Sequence, residues 1–369
     1  MIRHTSYKKD TLLNVRHLLG AGLVAAALPF LLGGCSSAPS STTPALTTAT
    51  ANTVQPQHQG RSTLLGGSLF AHRRHSSGSR AHTWFKRPQP PNPLLYVSDA
   101  EGNFVNIYSA NGSDQSPIGQ IAGFDEPQGL WVDVNQNLWV VNTNTFQIMG
   151  FHRGSGVAFK TFDDTSGQSP AGVCGNDNKN LLYAVDISGP GSGYIGNTIS
   201  VFQKNGSSDP IQTFVDPNAA SLTLCAVDSK GNLFVTLTNV NSYAGEVDEF
   251  PKGSTTPTVI ANNLVYPIGI TIDRYNAISV DDAFANGYSG GLVYIYDPPY
   301  TSGPAYSFPV PEGIIQTALN KQQNQIWGAS SGTLDAQQYS YPHGLYQNAT
   351  STQDFEYPDG LALSPKAKQ

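Results

Sequence analysis

One short unit constrains this chain more than any other feature. Pro127 to Asn142, PQGLWVDVNQNLWVVN, reads as strand, tight turn, strand, and five variants of it follow. They are PAGVCGNDNKNLLYAVD from Pro170, SLTLCAVDSKGNLFVTL from Ser221, PIGITIDRYNAISVD from Pro267, PEGIIQTALNKQQNQIWGAS from Pro311, and a truncated PDGLALSP from Pro358. Aligned on the Gly129 position (Gly129, Gly172, Leu224, Gly269, Gly313, Gly360), the copies are 43, 52, 45, 44 and 47 residues apart. A unit that cannot bury its own apolar face, repeated at such a period, must stack on its neighbours.

Each copy continues in the same way. After GLWVDV and NLWVVN come FQIMGFHRG and GVAFKTFD, so one copy holds four strands, innermost first. VNIYS and ISVFQ alternate apolar with polar residues, the period-2 pattern of a strand packed between neighbours. NG, KG and RG pairs then mark the hairpin turns. The last copy has an inner strand and nothing after it. The segment LLYVSDAEGNFVNIYSANGSDQSPIGQIAGF, from Leu94, supplies three strands with no inner strand before them. Together these two make one blade, which closes a ring and removes the open sheet edges. The fold predicted is all-β, a six-bladed β-propeller of four-stranded antiparallel blades over residues 94–369.

The unit Pro-x-Gly-Leu/Ile-x-Val-Asp, followed by Gly-Asn-Leu and an aromatic residue, resembles the NHL-repeat family of six-bladed propellers across this whole region. Blade five departs most from it, with Thr317 where Asp133 stands and a long Gln-rich inner turn.

Composition agrees. Charged residues are 12% of the chain, while 37 Gly and 25 Pro supply turns. A net charge of −6 lacks the basic stripe of a nucleic-acid binder, so no nucleic acid is expected as a partner. At the N-terminus, Arg3, Lys8, Lys9 and Arg16 precede an uncharged run, Leu18 to Leu32, ending in Leu-Gly-Gly-Cys at Cys35. That is the layout of a secretory signal, too short to span a bilayer comfortably. The Cys after Leu-Gly-Gly resembles a bacterial lipobox, which implies acylation (palmitate among the chains) on Cys35. The expected organisation is a lipoprotein signal peptide over 1–34, then Cys35 and a linker to 93. The linker is Ser/Thr/Pro-rich, then basic, and too apolar-poor to fold. The propeller occupies 94–369. Localisation is expected to be exported and membrane-anchored, at the outer membrane, its periplasmic side or the cell surface. Ser36 after the Cys favours the outer membrane by the same resemblance.

Candidate chemistry falls where the copies differ. The residue before the repeat Gly (Gln128, Ala171, Thr223, Ile268, Glu312, Asp359) is expected at the mouth of the axial channel. Gln128, Glu312 and Asp359 fall on consecutive blades, and their oxygens suit Ca²⁺, with Glu312 and Asp359 as the metal ligands. The position is similar to that of the metal ligands in gluconolactonase-like propellers, which implies an alternative function as a Ca²⁺-dependent lactonase. Those enzymes begin with a Glu-Gly-Pro motif and add an Asn, and this chain has Ala171 and Ile268 at that ring. The first expectation is therefore a lipid-anchored binding module with a protein, peptide or glycan ligand and no certain cofactor. It would engage its ligand through the loops Ser188 to Thr198 and Ala283 to Gly291. A second ring, Asp99, Asn142, Asp186, Leu237, Asp281 and Ser330, is expected to cap turns. The recurring Asp133, Asp228 and Asp273 are read as structural. His152 and His343 sit at third-strand turns, no catalytic residue is assigned, and no GxSxG elbow appears. Cys174 and Cys225 occupy neighbouring inner strands. Packed sheets lie ~10 Å apart, so two buried free thiols are the first expectation, and an inter-blade disulfide in an oxidising compartment would require the inner strands to pinch together. Trp131, Trp139 and Trp327 are expected to pack between blades.

Overall fold

A computed structural model describes residues 82–86, 93–111, 116–187, 195–287, 290–311 and 313–367. The signal segment, Cys35, most of the linker and Glu312 lie outside the described residues. No α-helix occurs among those described, and six antiparallel sheets carry the fold.

Blade one spans 127–163, blade two 169–215, blade three 219–264, blade four 267–310 and blade five 314–349. Blade six is composite. Its inner strand Pro358–Ser364 pairs with Leu94–Asp99, which pairs with Phe104–Ser109 and then Gly119–Ala122. The expected closure of the ring by the two ends of the domain is therefore observed. The boundary at 94 needs one extension. Trp84–Phe85, from the expected linker, adds a short fifth strand to the outer edge of blade six, covering the edge that Gly119–Ala122 would expose.

Each seam between adjacent blades holds one hydrophobic cluster, and period-2 alternation explains why. In the strand Leu138–Asn142, Val140 packs toward blade six with Tyr96 and Ile107, while Trp139 and Val141 pack toward blade two with Leu182 and Phe202. Trp327 is likewise buried at the seam of blades five and six. The six inner strands then meet around the axis, where the repeat glycines matter. A Cβ on Gly129 would stand 2.5 Å from the Ala171 carbonyl oxygen, and one on Gly172 would stand 2.7 Å from that of Thr223. Only a residue without a side chain lets inner strands approach so closely.

That approach turns the cysteines from the first expectation, free thiols, to the alternative of an inter-blade bridge. Cys174 and Cys225 form a disulfide with Cα atoms 5.6 Å apart. The spacing of ordinary stacked sheets does not apply near the axis, where the inner strands converge.

The inner turns also correct the register of blade five. Asp133, Asp228 and Asp273 each accept the backbone N–H four residues on. The same bond in blade five is made by Asn320, which accepts from Asn324 N–H. Ile314 pairs with Ser330 as Pro127 pairs with Asn142. The residue at the glycine position is therefore Gln316, not Gly313. Thr317 is not the counterpart of Asp133, and the residue before the glycine position is Ile315, not Glu312. The Gln-rich turn hid a three-residue offset because Gly313 offered a false match. Gly313 instead adopts φ 74° in the connection ahead of its strand.

Candidate functional site: the channel mouth and the two faces

The propeller has a first face, where inner strands begin, and a second face, where they end. Between them the axis is blocked. The Gln316 side chain accepts from Leu130 N–H (3.0 Å) and Leu361 N–H (2.9 Å) and donates to the Leu130 carbonyl (2.8 Å). A glycine at this position would leave the channel open; the glutamine ties three inner strands together across it. Below it remains a cavity of ≈ 80 Å³, lined by residues such as Val132, Cys225, Ile270 and Leu363. Small-molecule sites usually need ~300 Å³ or more, so this space suits a few waters.

At the second face the C-terminal residues line one side of a cleft of ≈ 440 Å³, with Gln136, Asn176, Asp177, Asp228 and Lys321 on its other sides. Lys366 Nζ lies 2.9 Å from Asp177 and 4.6 Å from the Trp131 ring centroid, and Lys204 reaches the same carboxylate at 2.7 Å. Trp131 thus serves as a platform for two ammonium groups as well as for packing. The flanking charges hold the Asp177 carboxyl below its ordinary range despite its burial. His152 stacks on Phe159 and His343 meets Tyr306 edge-on, both at second-face turns as expected.

At the mouth on the first face, Gln128 and Asp359 are brought together. Ser98 Oγ donates to the Gln128 carbonyl and accepts from Gly360 N–H, both at 2.7 Å, which clips blade six to blade one. Both residues are buried, at 1% and 3% exposure, rather than opening to solvent as a rim would. Gln128 Nε2 donates to Glu126 at 3.0 Å, while Gln128 Oε1 and Asp359 Oδ2 have no hydrogen-bond partner. Burial drives the Asp359 carboxyl well above its usual range, and the nearby Glu126 and Asp99 push it further. Glu126 itself is raised to about 7, chiefly by burial. Ala171, Thr223 and Ile268 are buried around the same ring, Thr223 Oγ1 donating to the Ile268 carbonyl.

The calcium reading meets this geometry only in part. Ca²⁺ takes six to eight oxygens. Among the described residues no three His, Cys, Asp or Glu side chains gather as a metal site. Gln128 and Asp359 offer two orphan oxygens, and Glu312 lies outside the described residues. That set does not make a calcium cage.

The second ring caps turns as expected at Asp99 and Asn142 but not throughout. Asp99 accepts from Gly102, Glu356 and Tyr357 N–H groups, and Asn142 from Asp125 N–H. Burial raises Asp99 to about 6 against these bonds. In blade four the capping residue is Asp282, which accepts from Val265 and Tyr266, so Asp281 is displaced from the ring. Asp281 stands where Ser98 and Thr236 stand in their blades. Each of those hydroxyls donates to a carbonyl of the next inner strand. An ideal Cβ on Gly269 would touch both Asp281 Oδ2 and the Ile315 carbonyl, so Asp281 occupies the same bridging slot. Burial raises its carboxyl to about 8, and the protonated form has the donor that this slot calls for. Asp186, also fully buried, is raised first by burial and then by Asp164, and Leu237 and Ser330 complete the ring without a charge.

Charge separates the faces in a way that inspection of single motifs did not anticipate. Among the described residues, Lys86, Arg153, Lys179, Lys204, Lys230, Lys252, Arg274, Lys321 and Lys366 all lie at second-face turns or ends. Lys160, on an outer strand, also donates to a second-face turn, at the Gly206 carbonyl. No described Lys or Arg lies on the first face. That face instead carries Glu101, Asp125, Glu126, Asp163, Glu246 and Glu356, none of them fully buried. Beside them stand exposed apolar side chains on successive loops, Phe146, Ile195, Val240, Tyr243 and Val265. The loop that ends in Ile195 is described only from that residue onward. Its Gly196 N–H donates to the Ala220 carbonyl, fastening it to blade three. The signal was present in the sequence, because most of the described propeller cations fall near a first-to-second or third-to-fourth strand turn.

Comparison with known proteins shows the fold alone. No family model matches the chain, and no curated protein does. Among solved structures, a chain of a nidogen/laminin complex aligns with TM-score 0.57 at 14% identity, over 74% of this chain and 98% of that one. A functionally unknown protein from Desulfotomaculum acetoxidans aligns with TM-score 0.53 at 12% identity, over 73% and 98%. A hydrazine synthase chain of Kuenenia stuttgartiensis aligns with TM-score 0.50 at 15% identity, over 72% and 80%.

Proposed function

We propose that this chain is an exported, lipid-anchored NHL-like propeller that binds a basic, partly apolar polypeptide segment at the cell envelope through its first face. The observation that carries the binding face is its charge: carboxylates and exposed Phe146, Val240, Tyr243 and Val265, with no described cation among them. Such a surface attracts a cationic partner at long range and gives it apolar contacts on arrival. The ≈ 80 Å³ beneath Gln316 is too small for a small-molecule substrate, which favours a surface binder over an enzyme whose site lies inside the channel. Export is supported by the Cys174–Cys225 bridge, since structural disulfides belong to oxidising compartments. The anchor rests on the Leu-Gly-Gly-Cys sequence at Cys35. The nidogen/laminin likeness is a precedent for a propeller in a protein complex, at the level of fold.

Two experiments test this. A photo-crosslinking amino acid at position 243 should yield one polypeptide adduct in intact cells, and the same probe at position 157 on the second face should not. Equal adducts at both positions, or none, would remove the first face as the binding surface. For the anchor, cells fed an alkyne palmitate analogue should label the wild type. Cys35→Ala should lose both the label and membrane association, and an unchanged membrane fraction would refute the anchor.

The competing Ca²⁺-dependent lactonase retains one specific observation, the orphan oxygens of Gln128 and Asp359. A ligand bound only by the native state must raise its melting temperature. A calcium-dependent rise that disappears in Asp359→Asn would support a cation there, and no shift with any divalent ion would exclude it.

A further inference from the structure

A cleft of ≈ 350 Å³ opens on the second face between the turns of blades four and five. Tyr275, in the inner turn of blade four, is 75% exposed, and Tyr306, at the start of its outer strand, is 48% exposed. Tyr341 lines the blade-five side, its hydroxyl donating to Asp273. Large exposed aromatic rings are costly to leave in water, and two of them beside the half-buried Tyr341 around one cleft call for an occupant. The volume lies within the range of small-ligand sites, unlike the axial cavity.

The polar groups of the cleft are fixed in advance. Arg274 Nε and its backbone N–H both donate to Gln323 Oε1 at 2.9 Å, and the guanidinium also reaches the Gln322 carbonyl. Gln323 is 8% exposed, so the guanidinium is held by a buried side chain while Arg274 itself stays exposed. Asp297 offers an exposed carboxylate in the same cleft, and no ion pair joins it to Arg274. The site therefore presents a donor-only group, an acceptor-only group and flat aromatic faces, already arranged.

We propose that this inter-blade cleft binds a short neutral oligosaccharide, with Tyr275 and Tyr306 against the sugar rings and Arg274 and Asp297 on their hydroxyls. A pyranose carries a face of C–H bonds that packs on an aromatic ring. Its hydroxyls both donate and accept, so each can serve the guanidinium or the carboxylate. A proline-rich peptide fits less well: it could also use the tyrosines, but its proline nitrogens carry no N–H for Asp297. The inference is independent of the first-face reading, because it concerns the opposite face and a different ligand class.

The test is isothermal titration of the full-length protein, in micelles of an amine-oxide detergent that carries no sugar, with cellotriose, chitotriose and maltotriose. At least one should bind, and Tyr275→Ala and Tyr306→Ala should each weaken it about tenfold, ~1.4 kcal/mol. Tyr346→Ala, an exposed tyrosine outside the cleft, should leave binding unchanged. Both cleft tyrosines are exposed, so the variants should melt as the wild type does, and Arg274→Lys provides a second probe that keeps the charge but not the fork. No binding of any trisaccharide, or binding indifferent to both tyrosine variants, overturns the proposal. Binding of a proline decamer in place of the sugars, lost in the same variants, overturns it in favour of a peptide.

Discussion

The recurring second-face aspartates cap turns, whereas the first face adds to its own caps, Asp99 and Asp282, a set of aspartates with another purpose. On the second face Asp133, Asp228 and Asp273 recur at one repeat position, each accepting the N–H that closes an inner turn. They are satisfied by local backbone and reappear wherever that turn does. On the first face Asp359, Asp281 and Asp186 recur nowhere else in the same form, and each is buried with at least one oxygen lacking a partner. Repetition marks residues that build the blade. Departure from repetition marks those that answer to something else, either a neighbouring blade or a ligand.

What holds the faces apart is the axis, and breaking it should have the largest effect. Gln316→Ala removes an amide that satisfies two buried N–H groups and one carbonyl on Leu130 and Leu361. Each orphaned group costs ~1–3 kcal/mol, so the total should be roughly 5 kcal/mol. A shift of the urea midpoint at unchanged slope measures it. A loss under ~1 kcal/mol would mean that water replaces the amide and that the faces communicate through the axis. Next in size is the bridge between blades two and three. Cys174→Ser with Cys225→Ser should cost about 4 kcal/mol by the loop-entropy account for a separation of 51 residues. The loss should be matched by adding reductant to the wild type and absent when reductant is added to the double variant.

Much of the architecture was legible because the repeat carries it: the blade count, the composite blade six, the turn aspartates and the positions of His152 and His343. The errors have physical causes. Gly313 matched the repeat by identity, but strand pairing and the Asn320 turn bond put Gln316 in its place. The cysteines were judged by the spacing of stacked sheets, although glycine at Gly129 and Gly172 draws the inner strands far closer. Gln128 and Asp359 lie buried on the first face rather than on an open rim, and that burial depends on the Ser98 clip, which no linear motif announces. Trp84–Phe85 escaped notice because two residues in a basic, Gly- and Pro-broken tract carry no periodicity.

The contrast between the two kinds of aspartate also predicts a pH dependence. Burial raises Asp281 to about 8 and Asp216 to about 7, the latter also pushed by Asp248. The folded protein then binds more protons than the unfolded chain between about pH 4 and pH 8, so stability must fall as pH rises through that window. The contribution is fully present below the unfolded pKa and lost once the folded groups ionise. Asp281→Asn keeps the shape and donor of the protonated acid without its titration. It should recover stability at pH 8, where the wild-type carboxyl is forced toward ionisation, and change little at pH 4, where the folded wild type is neutral at this site. Thermal melts across the pH range decide it. A wild type that grows more stable from pH 5 to 8 would show that these carboxyls are ionised in the folded state.

The smallest effect belongs to the second-face cations, where the comparison is sharpest. Lys230 and Lys252 are exposed at turn tips, and ion pairs between described residues engage Lys204 and Lys366 instead. Changing both to Glu should alter stability by less than ~0.5 kcal/mol each. It should also leave the position-243 crosslink intact, because the first-face carboxylates that attract a cationic partner remain. The converse pair, Asp125→Lys with Glu356→Lys, is equally exposed and should be equally mild in denaturation. It should nevertheless suppress the crosslink, most strongly at low salt, where long-range attraction is least screened. If the two charge reversals act alike on the crosslink, the partner reads the net charge of the propeller rather than one face of it.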